Sequence, residues 1–166
     1  MREAQRVEFE WVFRSTYPSV LRTTYLILHD RGRAEEVTQD AFLRLCERWR
    51  GVVRIEQPGP WVRRVAVRAA IRQATLRRLR FSSTPPDEPS GWDPLPDVDL
   101  ARAVASLPAQ QSATVALFYL EDLPVEEVAR VLDVTASTVK QHLHRARARL
   151  ATLLSEATEE VSRDVD

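Results

Sequence analysis

The chain is poor in the residues that carry most cofactor and redox chemistry. Its 166 residues include one cysteine, one methionine and four glycines. A lone thiol, Cys46, cannot build a disulfide framework within the chain and suits a reducing compartment. Cys46 lies on an amphipathic stretch with no evident base beside it, which fits a core thiol better than a nucleophile. No run of 18 apolar residues occurs, so no membrane insertion is expected. The opening MREAQRVEFEWVF is charged and lacks the apolar centre of a signal peptide, so the expected address is cytoplasmic. There is no Gly-rich phosphate loop and no Ser/His/Asp arrangement. Of the three histidines, His142 and His144 stand two apart on a helix and do not face each other, a poor metal pair. No enzymatic activity, metal or cofactor is expected. Strand signals are missing too, because the β-branched residues recur at helical rather than alternating spacing. The expected fold class is all-α.

What is present is charge, unevenly placed. The totals cancel, with 24 Lys+Arg against 24 Asp+Glu, and 44% of residues are hydrophobic, a foldable composition. Residues 1–81 carry 17 basic and 9 acidic side chains, whereas 82–166 carry 7 and 15. Residues 61–80 hold seven arginines and no acid. Such asymmetry points to contact with a polyanion through one part of the chain. Lys140 is the one lysine. Arginine forks bind phosphate and guanine edges well, although genomic base composition also accounts for an Arg:Lys bias. It does not account for the clustering.

Residues 82–99, SSTPPDEPSGWDPLPDVD, contain five prolines, five acids and no base. Proline removes a donor and clashes with the preceding turn, so this reads as an extended acidic linker between two helical bodies. Trp92 within it is read as a local hydrophobic contact or a partner contact. Before the linker, four helices are expected. The first contains Phe9 to Phe13. The second, or a kink, begins near Pro18. The third is AEEVTQDAFLRLCERW, with Val37, Ala41, Leu45 and Trp49 on one face. After a Gly51–Pro60 loop, the fourth runs from Trp61 to about Arg80. After the linker four more are expected: one marked by Leu100, Val104 and Leu107, one from Pro108 through Phe118, PVEEVARVL, and Ala136 to about Ser155, followed by an acidic tail.

Two helices carry the chemistry. In WVRRVAVRAAIRQATLRRLR, Arg64, Arg68 and Arg72 stand four apart on one stripe, with Trp61 in the same arc. Like charges at this spacing repel by a few tenths of a kcal/mol per pair. DNA phosphates would neutralise them, and the indole could stack on an unpaired base. Acids such as Glu35, Glu36 or Asp40 could neutralise them instead. In PVEEVARVLDVTASTVKQHLHRARARL, a short amphipathic helix, a three-residue turn and a second helix form a helix-turn-helix pattern. Thr135 can cap the second helix. Val139, Leu143, Ala146, Leu150 and Leu153 make its buried seam. The opposite face holds Ser137, Lys140, Gln141, His144 and Arg145, of which Lys140, Gln141 and Arg145 are types that read base edges.

Taken together, the chain resembles the extracytoplasmic-function (ECF) group of sigma-70 family RNA polymerase sigma factors, across both halves and the linker. AEEVTQDAFLRLCERW resembles that family's core-polymerase-binding helix. PGPWVRRVAVRAAIRQATLRRLR resembles the helix that melts and reads the −10 promoter element. The stretch from Leu100 to Leu150 resembles its fourth region, which reads the −35 element. The resemblance implies a region 2 bundle at 1–81, a linker at 82–99, a region 4 helix-turn-helix at 100–158 and an acidic tail at 159–166. It implies core RNA polymerase, promoter DNA and an anti-sigma factor as partners. It assigns Glu36, Gln39 and Asp40 to polymerase binding, and Gly51 to Pro60 to capture of a flipped base. Trp61, Arg64, Arg68 and Arg72 fall to the −10 element. Ser137, Thr138, Lys140, Gln141, His144 and Arg145 fall to the −35 element, Thr138 through a phosphate. The linker is expected to pass near the RNA exit path, its acids mimicking nucleic acid. Three departures stand out: Arg68 replaces the family's usual asparagine, Arg72 its aspartate and Gln111 an arginine. The first two favour backbone binding over base reading.

A stand-alone helix-turn-helix regulator is the alternative that the second half alone allows. It would bind duplex operator unaided, whereas a sigma factor needs core polymerase. A helical adaptor with no DNA role would bind its partner independently of salt.

Overall fold

The computed structural model describes residues 2–80, 95 and 97–163, and among these no strand occurs. Residues 81–94, with Trp92 and most of the expected linker, lie outside the described residues. The first domain is a bundle of α1 (Glu3–Leu28), α2 (Arg31–Ile55) and α3 (Pro58–Arg80), each packed on the other two. Its core follows the α2 stripe: Val37, Ala41, Leu45 and Trp49 are all buried. Phe9 meets the Trp49 ring edge-on at 5.5 Å, and Phe13 meets Phe42 at 4.9 Å. The buried hydroxyls of Thr24 and Thr38 satisfy each other at 3.0 Å.

Pro18 does not divide α1, which runs unbroken through it. Pro18 and Arg14 both lie on the exposed side, where water can take the carbonyl that proline leaves without a donor. The expected Gly51–Pro60 loop is also shorter than its composition implies. Gly51 to Ile55 extend α2, and Pro58, Gly59 and Pro60 form the first turn of α3, leaving Glu56 and Gln57 as the link. Prolines cost little in a first turn, whose N–H groups lack helical partners anyway.

The second domain comprises α4 (Val98–Ala105), α5 (Ala109–Val115), α6 (Val125–Leu132) and α7 (Ala136–Arg163). Asp97 caps α4 by accepting from the N–H groups of Asp99 and Leu100. α5 continues into a π-helical turn, Ala116–Leu120, closed by Glu121 N–H donating to the Ala116 carbonyl at 3.1 Å. α7 passes the expected stop near Ser155, because SEATEEVSR contains no glycine or proline to end it. No described helix is long and apolar enough to cross a membrane.

The two domains pack against each other. α1 and α3 contact α5, and α3 contacts α6. Buried Ala113, Leu117 and Val128 join the core that contains Val20, Val62 and Val67.

Two stability outcomes are expected. Leu45 is fully buried, so Leu45→Ala should destabilise the chain by about 2–5 kcal/mol in urea unfolding. His29 closes α1 in the left-handed region at φ 52°. Burial, and secondarily the Arg78 charge, lower its pKa from 6.5 to about 4. The unfolded chain therefore takes up the proton first, so stability should fall as pH drops from 6.5 towards 4. His29→Asn, which tolerates that backbone conformation, should flatten the fall in urea midpoints measured across this window.

Candidate nucleic-acid interface

The helix-turn-helix forms by local rules. α6 ends at Asp133, whose left-handed φ of 57° turns the chain, and Val134 N–H donates to the Ala129 carbonyl. Thr135 then caps α7, its hydroxyl oxygen accepting from Thr138 N–H at 3.1 Å. The Thr135 and Thr138 hydroxyls bond each other at 2.9 Å. Val139, Leu143 and Ala146 are buried, whereas Leu150 and Leu153 are half-buried. Ser137, Lys140, Gln141, His144 and Arg145 are exposed and Thr138 is half-buried. A shallow groove of about 460 Å³ joins His144, Arg145 and Arg149 to Gln111. His142, on the inner side, is held below its usual pKa by burial and then by Arg145. The result is a cationic helix face of polar side chains backed by a packed seam.

α3 is arranged differently. Glu56 grips the Arg64 guanidinium through two bonds of 2.9 and 2.7 Å. These hydrogen bonds raise the Arg64 pKa, partly offset by burial and reinforced by the carboxylate charge. Arg68 turns to α6, where Nε donates to the Val131 carbonyl and Nη2 to the Arg130 carbonyl, both at 2.9 Å. Arg72 is exposed and Trp61 half-buried. Trp61 and Glu56 line an open cavity of about 640 Å³ with Trp49, Arg50 and Cys46. The stripe of three arginines is thus not uniform: each member has a different environment. Of the acids that could have neutralised it, Glu35 pairs with Arg31 at 2.9 Å and Asp40 with Arg44 at 2.9 Å, while Glu36 is exposed on α2.

Glu36, Gln39 and Asp40 lie on α2 and all three are exposed. Sequence reasoning missed Arg63 and Glu121, which pair at 3.3 Å between the domains. Their separation along the chain leaves no local signal. Among the described residues no cluster of His, Cys, Asp and Glu could hold a metal.

The family model described as sigma-70 region 2 matches residues 12–81, and that described as sigma-70 region 4 matches residues 97–150. The chain is 31% identical over 155 residues to an RNA polymerase sigma-E factor of Streptomyces antibioticus, covering 90% of this chain and 86% of the relative. It is also 31% identical to the ECF RNA polymerase sigma factor SigM of Mycobacterium tuberculosis, covering 90% and 78%. The sigma factor RpoE of Bartonella quintana, solved in complex with the anti-sigma factor NepR, has a similar fold. It aligns with a TM-score of 0.74 at 18% identity, covering 89% of this chain and 97% of that one. The chain belongs to the ECF group of sigma-70 family RNA polymerase sigma factors.

Removing the α7 cap should be measurable. Thr135→Ala leaves the Thr138 N–H without its acceptor and should lower stability by about 1 kcal/mol in thermal or urea unfolding.

Proposed function

We propose that the first domain docks this chain on core RNA polymerase through Glu36, Gln39 and Asp40. α7 then enters the major groove at the −35 element, and the exposed part of α3 holds the −10 region as it melts. The domain limits are 1–81, 82–99, 100–158 and 159–166, with the linker running through the polymerase. The chain acts in the cytoplasm and is not an enzyme: nucleotide addition belongs to the polymerase. An anti-sigma factor is its regulator, by analogy with the Bartonella relative.

The observation that carries the reading is the division of α7: Val139, Leu143 and Ala146 buried against Ser137, Lys140, Gln141, His144 and Arg145 exposed. A helical hairpin with an incidental charged face needs neither the cap at Thr135 nor so complete a division. Ser137, Lys140, Gln141, His144 and Arg145 would contact bases or phosphates, and Thr138 a phosphate near the helix N-terminus. On α3, Arg72 is exposed, whereas Arg64 and Arg68 must give up present partners before touching DNA. Trp61 borders the open cavity, which supports its meeting an unstacked base.

Run-off transcription on genomic promoter fragments tests the reading. RNA should appear only when core polymerase and this chain are both present; specific duplex binding by the chain alone would favour a stand-alone regulator. Arg145→Ala should weaken upstream-element binding by about 1–3 kcal/mol and relax sequence preference there. Arg72→Ala should lower the salt dependence of open-complex formation by about 0.7–0.9 in log–log slope for each phosphate no longer neutralised. Arg64→Ala should change that slope less, because Glu56 already neutralises the guanidinium.

A further inference from the structure

The outer face of α1 carries apolar side chains that the fold leaves in water. Advancing by about 100° per residue, Glu3, Val7, Trp11, Arg14, Pro18 and Arg22 fall within an arc of about 100°. All six are exposed. Trp11 is 71% exposed and Val7 62%. The bundle uses the other sides of α1: Val12 and Val20 are buried, Phe9 meets Trp49, and Phe13 and Tyr17 meet Phe42. The second domain meets α1 further along, at Thr23 and Leu26. An exposed indole and valine one turn apart, framed by charges, mark a contact surface rather than a solvated face.

The order of the six residues says what covers them. Their spacing reads the same from either end, about a point midway between Val12 and Phe13. Val7, Trp11, Arg14 and Pro18 also have the alternating spacing of a helix–helix seam. When two such helices lie antiparallel about a two-fold axis at that point, each position meets its mirror image. Glu3 then faces Arg22 of the second copy, Val7 faces Pro18, and Trp11 faces Arg14. Symmetry makes each contact twice. The ends pair opposite charges, and the centre sets a guanidinium on an indole, the ring that best attracts a cation. A parallel pair would instead set Glu3 on Glu3, Arg14 on Arg14 and Arg22 on Arg22. Glu8 and Glu10, also exposed on the N-terminal half of α1, oppose contact with a nucleic acid or an anionic lipid surface.

We propose that the outer face of α1 is a self-association surface, on which two copies of this chain pair antiparallel through Trp11 and Arg14, with Glu3 and Arg22 fixing the register. Six residues a side are fewer than the roughly 20–30 of a standard interface, so the pairing is reversible, with a dissociation constant on the order of tens of micromolar. The residues given above to polymerase and DNA lie on α2, α3 and α7, so this surface stands independently of that reading.

Sedimentation velocity of the full chain, from about 1 to about 300 µM, tests the proposal. The parent should pass from monomer towards dimer across that range. Trp11→Ala should weaken association by about tenfold or more. Glu3→Arg and Arg22→Glu should each weaken it by about threefold to tenfold, because each sets like charges opposite one another. An equimolar mixture of these two charge variants should regain the parent's association, since the mixed dimer restores an opposite-charge pair at both ends. A variant that had merely lost its fold would not recover on mixing, and circular dichroism checks that α1 stays helical. A parent that stays monomeric throughout overturns the proposal. So does a dimer that Trp11→Ala leaves unchanged, or a mixture no tighter than either charge variant alone. Binding of parent and Trp11→Ala chains to core polymerase and to phosphatidylglycerol vesicles is measured alongside. A monomeric parent whose binding to either is lost in Trp11→Ala gives this face to that partner instead.

Discussion

A guanidinium taken out of water must keep an anion or carbonyls beside it, and the arrangement of both domains follows from how α3 meets that demand. Arg63 meets it with Glu121, Arg64 with Glu56 and Arg68 with two carbonyls of α6. Arg77 reaches Asp30 at 3.9 Å, and Arg78 the Leu107 carbonyl. Arg72 and Arg80 are exposed, and so is Arg78 despite that bond. The most basic stretch of the chain is thus largely an internal connector. These contacts are unequal. Removing one partner of a buried pair typically costs about 3–5 kcal/mol, whereas an exposed pair is worth about 0–1 kcal/mol. Arg63–Glu121 lies towards the buried end, and the exposed pair Arg44–Asp40 on α2 at the other. Charge density along a helix therefore overstates the charge available to a polyanion. What counts is the cations left outside after the internal pairs are made.

α7 presents basic side chains by the opposite route. Its seam of Val139, Leu143 and Ala146 is filled by apolar side chains. Lys140, Arg145 and Arg149 lie outside that seam and are exposed. Arg147 is exposed too, but its Nε donates to the Tyr119 hydroxyl at 2.6 Å, which anchors that arginine to the π-helical turn. Lys140 and Arg145 remain exposed beside Gln141 and His144. This is why a face division along α7 says more about DNA than the arginine count of α3 does.

The same difference explains which features are legible in the sequence. The α2 stripe, the α7 seam and the Thr135 cap depend on spacing within one helix, and spacing is written in the sequence. The continuity of α1 through Pro18 is not legible, because it depends on that residue facing solvent. Gly51–Pro60 reads as a longer loop than it is, since proline and glycine mark a helix start as readily as a loop. Nothing local foretells the π-helical turn. The arginine partners are hidden for a stronger reason: Arg63 and Glu121 lie 58 positions apart, and Arg68 and Val131 lie 63 apart. No periodicity connects residues so distant, and Arg68 finds backbone carbonyls, which carry no residue signature at all.

Arg68 also has a use that its position on the stripe does not reveal. Compared with an asparagine at the same place, it suggests a change in base preference. In the folded chain its longer fork reaches two carbonyls of α6 at once, a contact whose geometry a shorter side chain with a single amide could not reproduce. In this structure the arginine therefore bears first on how the domains are held. The polar residues Glu36, Gln39 and Asp40 of α2 and Lys140, Gln141, His144 and Arg145 of α7 are exposed, while Arg63, Arg64 and Arg68 of α3 are engaged. Which of its arginines the fold already uses thus limits which parts of α3 can meet a further partner without breaking an internal contact.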